Sequence, residues 1–148
     1  MYAQALLLTL GVLLTTHSCQ TYTTDRLPPE RLHFAAGGGF TGQVNEYILI
    51  LKNGTVLHRE ATAGDRLVRI GEVDKTELSR IETLLETIDF SEAAAGNSTG
   101  NVTNSLTYYH DDQGDRLNWS SSKPAPTPDA GELYKQLMTQ VTKLRQGA

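Results

Sequence analysis

The stretch "QVNEYILILKNGTVLHRE", Gln43–Glu60, decides the fold class. It carries two runs rich in Val, Tyr and Ile, residues that suit a pleated, half-buried surface. Between the runs stands Asn53-Gly54, a dipeptide that tolerates positive φ at both positions and so predicts a two-residue type I′ hairpin. That turn predicts the pairs Lys52 with Thr55, Leu51 with Val56, Ile50 with Leu57 and Leu49 with His58. Opposed residues share a face. Tyr47, Leu49, Leu51, Val56 and His58 then lie on one face, and Ile48, Ile50 and Leu57 on the other. Both faces are apolar near the turn, so the hairpin expects cover on one side and partial shielding on the other.

Downstream, "RLVRI", Arg66–Ile70, reads as a third strand. In "VDKTELSRIETLLETIDF" Asp74 is the expected N-cap, with Glu77 three residues on and Val73 and Leu78 as a hydrophobic staple. Leu78, Ile81, Leu84, Leu85 and Ile88 recur at helical spacing. "VTNSLTYYH" and "RLNWS" read as two further strands around the turn Asp111–Asp115. The Pro-rich "SSKPAPTPDAG" interrupts regular structure. A closing helix begins with Asp129 and Glu132 in capping-box relation, and carries the stripe Leu133, Leu137, Val141 and Leu144. These elements predict an α+β domain: a two-layer arrangement with a mainly antiparallel sheet of four to five strands, packed by two amphipathic helices.

The N-terminus has a different character. "ALLLTLGVLL", Ala5–Leu14, has the length of a signal-peptide apolar core and is too short to span a bilayer. Cys19 follows it and is the only cysteine of the 148 residues, so an intramolecular disulfide is excluded. Its place after the apolar run resembles the lipid-attachment cysteine of bacterial lipoproteins. We therefore expect residues 1–18 to be a signal peptide, 19–33 a lipidated cysteine and linker, and 34–148 one domain. Localisation is expected to be the bacterial cell envelope, membrane-anchored through Cys19 and facing the periplasm or the cell surface. The alternative is a secreted soluble protein.

The formal net charge of −4 offers no basic field for nucleic acid. "FAAGGGFTG", Phe34–Gly42, has Gly37, Gly39 and Gly42 at the spacing of a dinucleotide loop. It runs into a strand and has no lysine nearby, so no nucleotide site is expected. The expected roles are conformational for the glycines and packing, as a plug, for Phe40. His58 and His110, with Asp111 beside the latter, are too few for a zinc or hydrolase site, so no catalytic residues, metal or cofactor are expected. "HDDQGD" lacks the calcium-loop spacing. Glu46, Glu60 and Glu72 show no dyad pattern. Tyr108 and Tyr109, adjacent on one strand, must point to opposite faces, and aromatics of this kind anchor interfaces.

Gly38, Gly39, Phe40, Thr41 and Gly42 resemble the Gly-Gly-Phe-small-Gly opening of the emfourin-like inhibitors of thermolysin-type metallopeptidases. The resemblance spans roughly residues 34–144, and its one specific motif is this opening. The opening also looks like that of a broad set of bacterial envelope lipoproteins. What it implies is a non-catalytic, exported binding module that blocks a peptidase sterically. The candidate partner-binding residues are Gly38, Gly39, Phe40, Thr41, Gly42 and Tyr109, and the expected partner is an exported peptidase or another envelope protein. A small-ligand-binding or structural lipoprotein is the alternative.

Overall fold

The computed structural model describes residues 21–40, 42–60, 66–93, 101–111 and 113–147, with Glu92 and Ala93 described by backbone only. The expected signal segment, Cys19 and Thr41 lie outside the described residues. The strands are β1 (Arg31–Gly38), β2 (Val44–Ile50), β3 (Thr55–Glu60), β4 (Arg66–Glu72), β5 (Val102–His110) and β6 (Gln113–Ser120). The helices are α1 (Lys75–Thr87), the single turn α2 (Phe90–Ala93) and α3 (Pro128–Gln146). Six strands form one sheet in the order β4-β3-β2-β1-β5-β6, and every neighbouring pair is antiparallel. The fold is α+β, and the strand count is six rather than the expected four to five.

The added strand is β1, and it is central. It pairs with β2 on one side, Phe34 opposite Tyr47, and with β5 on the other, Phe34 opposite Leu106. "FAAGG" is thus strand rather than loop, and residues 31–33, read as linker, begin it. Leu32 and Phe34 alternate with Arg31 and His33, which is the period-two pattern of a strand with one buried face.

The β2–β3 connection departs from expectation in register but not in facing. Leu49 pairs with Val56, Ile48 with Leu57 and Tyr47 with His58. The loop is therefore four residues, Leu51–Gly54, and Gly54 N–H donates to Ile50 O at 2.8 Å. Only Gly54 has positive φ, +74°, so a type I′ turn, which needs two such residues, is ruled out. The Asn53 side chain takes over the turn instead, accepting from Thr55 N–H at 3.0 Å. The shift is two residues, and side chains alternate with period two, so each residue keeps its predicted face.

Those faces are covered differently. Leu32, Phe34, Tyr47, Leu49, Val56, Leu106, Leu117 and Trp119 join the helix stripes, including Ile81, Leu85, Leu133, Leu137 and Val141, in the main core. On the other face Ile48, Ile50 and Leu57 pack under Tyr22, with Leu27 and Leu67 at the margin. Among the described residues the N-terminal strap thus shields the β2–β3 half of that face and leaves the β1–β5–β6 half open.

Asp74 caps α1 as expected, accepting from Thr76 N–H (2.9 Å) and Glu77 N–H (3.0 Å). The start of α3 lies earlier than expected. Thr127 is its N-cap, accepting from Ala130 N–H at 3.1 Å, and Pro128 opens the first turn, where its missing N–H costs nothing. Tyr134 ties α3 to the sheet by donating to Ala35 O (3.2 Å) and Asn104 Oδ1 (3.3 Å). Burial and the neighbouring Tyr47 push its phenol up to about 12.

Candidate functional site

The β1–β2 connection is built by glycine. Gly38 and Gly39 have φ of +104° and +71°, values that L side chains rarely adopt. A Cβ on Gly38 would also lie 2.8 Å from Asn101 O. The backbone here is tied on both sides: Gly38 N–H donates to Gln43 O at 3.1 Å, and Gly39 N–H donates to Asn101 O. Phe40 follows, and it is fully exposed at 110%. The expectation that it packs as a plug is therefore wrong. The glycines turn the chain outward at the end of the sheet.

Val44 (48%) and Val102 (37%) are also exposed, and with Phe40 they are the large apolar residues left uncovered among the described residues. Register places both at this end of the sheet but on opposite faces: Val44 pairs with Gly37 on the open face, and Val102 with Gly38 on the helix face. One end of the sheet therefore presents an apolar tip with an aromatic at its apex.

Tyr109 does not belong to this tip. It pairs with Arg31 at the far end of β1, seven residues from Gly38, a separation of about 23 Å along a strand. Tyr108 points to the helix face and packs near Phe90, at 6.2 Å between ring centroids. Tyr109 points to the open face, where the Arg31 guanidinium lies 4.1 Å from its ring centroid and His33 lies 4.7 Å from it.

This open face holds a polar cluster that the sequence did not reveal. His33 and Glu46 meet at 2.7 Å between Nδ1 and Oε1, and Arg59 Nε lies 3.0 Å from Glu46 Oε2. Arg31 Nε–H donates to His33 Nε2 at 3.1 Å. A guanidinium can only donate, so Nε2 accepts and Nδ1 carries the proton toward Glu46. Burial alone would push the Glu46 carboxyl up. The His33 hydrogen bond and the charges of Arg59 and Arg116 outweigh burial and hold it below its ordinary 4.5. Beside the cluster is a hollow of about 170 Å³ floored by Ala35. Alternation in "RLHF" is the signal that could have placed His33 on a strand face; Glu46 carried none.

His58 and His110 are not brought together. Their strands, β3 and β5, are three positions apart in the sheet, about 14 Å at ordinary strand spacing. His58 stacks on Tyr47 (5.0 Å), and desolvation together with Arg145 lowers its pKa. His110 pairs with Asp115 at 3.0 Å on the surface. Among the described residues no three His, Cys, Asp or Glu side chains gather as metal ligands, and no helix is long and apolar enough to cross a membrane. No family model matches the chain, and no curated protein matches it.

Proposed function

We propose that this chain is an exported, non-catalytic binding module of the bacterial cell envelope. In this reading the glycine loop inserts Phe40 into a cleft on a protein partner, and an exported peptidase is the partner class to test first. The observation that carries it is the full exposure of Phe40 at the apex of a loop whose backbone is hydrogen-bonded on both sides. Leaving a phenyl ring in water forfeits about 1.5–3 kcal/mol of burial. A partner that buries Phe40 recovers that energy, with Val44 and Val102 flanking the anchor on the two faces of the sheet end. Two tethered glycines limit the ordering cost of the loop on binding.

The position of Tyr22 fits an anchor at Cys19. Asn53 Nδ2–H donates to Tyr22 Oη at 2.9 Å, so the described chain starts beside the β2–β3 turn, at the end of the sheet opposite Phe40. Cys19 stands three residues before Tyr22, within about 10 Å of extended chain. A lipid there would hold that end to the membrane and turn the Phe40 tip away from it.

The test is a residual-activity titration of thermolysin-type metallopeptidases with the purified protein and with Phe40→Ala. Inhibition by the parent that the variant loses supports a peptidase partner. No inhibition at micromolar protein removes that partner class. The wider reading is then tested by a photo-crosslinking residue at position 40 in envelope preparations. It fails when position 40 gives no more adduct than the exposed Lys123.

A further inference from the structure

We infer that the hollow over Ala35 on the open half of the sheet binds a small organic carboxylate. This site borders the Phe40 tip through Val44 and does not depend on the partner reading.

The hollow exists because the central strand carries Ala35 where its neighbours carry longer side chains. Glu46 and Ser105 flank it in register, and His33, Thr107 and Arg116 form the next row across the same face. At about 170 Å³ it is smaller than the pockets that hold drug-sized ligands, which selects a compact molecule.

Its chemistry is rich in donors. Glu46 is the one carboxylate lining it among the described residues, and both of its oxygens are engaged, by His33 and by Arg59. The other polar residues lining it, besides His33, are Ser105, Thr107, Tyr109 and Arg116, each able to donate. Arg116 is positioned by its Nε–H, which donates to Asn118 Oδ1 at 2.9 Å. A guanidinium fixed in this way still offers its planar terminal N–H donors, the geometry that matches a carboxylate. Arg116 is the one guanidinium among the described residues lining the hollow, and it faces a Glu46 carboxylate already held by His33 and Arg59. Val44 and Ala35 add an apolar wall, which suits a carbon chain better than an inorganic anion.

The probe is sodium succinate, titrated into the purified protein at fixed pH and ionic strength and followed by amide NMR. Saturating shifts at Ser105, Thr107 and Arg116 with a millimolar Kd are expected. Arg116→Gln is expected to raise that Kd at least about tenfold, the loss of one charge-assisted contact. Arg116 is exposed on an edge strand, so the variant's own spectrum reports that it is folded. Ser105→Ala gives a second, milder weakening, and Phe40→Ala leaves the Kd unchanged.

Acetyl-alanylalanine as its free acid and as its amide separates the sources of the carboxylate. Saturation by succinate alone assigns free acids, and saturation by the peptide acid as well extends the site to peptide C-termini. Four results overturn the inference: shifts that do not saturate, equal shifts with sodium chloride, saturation by the peptide amide as tight as by the peptide acid, or an Arg116→Gln Kd unchanged from the parent. Tighter binding of inorganic phosphate than of succinate overturns the carboxylate assignment.

Discussion

The two loops that bracket β2 use the same residue chemistry for opposite ends. At one end Gly54 takes φ +74° and the loop closes inward: Leu51 is buried, Asn53 bonds to Thr55 and Tyr22, and Val73 N–H donates to Gly54 O at 2.9 Å. At the other end Gly38 and Gly39 also take positive φ, but the chain closes outward and leaves Phe40 in solvent. A glycine in a left-handed conformation therefore says only that the chain turns. What the turn is for depends on the side chains beside it and on whether the fold supplies them with a partner. The inward loop is a structural joint, and the outward loop is the one proposed above to present Phe40 to a partner.

Substitutions at the two loops should separate these roles. Gly54→Val is expected to have the largest effect. A Cβ there would lie 2.6 Å from Val73 O in a backbone that β-branched residues avoid, so a loss of about 3 kcal/mol is expected in urea denaturation. A loss below about 1 kcal/mol would mean that the joint is not rigid. Asn53→Ala removes the bond to Thr55 N–H and the bond to Tyr22, and should cost about 1–2 kcal/mol.

Glu46→Gln probes the strand between the loops. A carboxyl held below 4.5 contributes stability that is present above that value and lost as pH falls through the lower, folded one. The variant should thus flatten the acid limb of the stability curve below pH 4.5. At neutral pH it should cost about 1 kcal/mol, because Arg59 loses a half-buried partner. Gly42→Ala, at φ +61° with nothing within 4 Å of the added Cβ, should cost about 1 kcal/mol or less. An effect as large as that of Gly54→Val would erase the distinction between the loops.

Sequence reasoning reached the elements whose pattern is local. The α1 cap, its stripe and the two faces of the β2–β3 hairpin depend on spacing within a few residues, and they stand as expected. The register of that hairpin did not follow, because Asn53-Gly54 fits both a two-residue I′ turn and the tail of a four-residue loop. The choice rests on Leu51 entering the core and on Tyr22 reaching Asn53, which are tertiary facts. The central strand was missed for a related reason. Ala35, Ala36, Gly37 and Gly38 have low strand propensity, and they are held in the sheet by pairing on both sides. Any Cβ at Gly37 would lie 2.6 Å from Val44 Cγ2, so the small residue is required by packing as much as by turning. His33, Glu46 and Arg59 are spread over 27 positions of sequence, and only the order β3-β2-β1 makes them neighbours. The tip was legible as a motif; of the two readings of Phe40, plug and partner-binding residue, its exposure removes the plug.

The most direct measurement sets the stability and the binding of Phe40→Ala against each other. By urea denaturation the variant should match the parent within about 0.5 kcal/mol, because Phe40 makes no core contact. In a crosslinking or inhibition assay it should lose the partner. A stability loss of about 3 kcal/mol, the cost of emptying a buried Phe site, would contradict the account, and so would partner binding that survives the substitution.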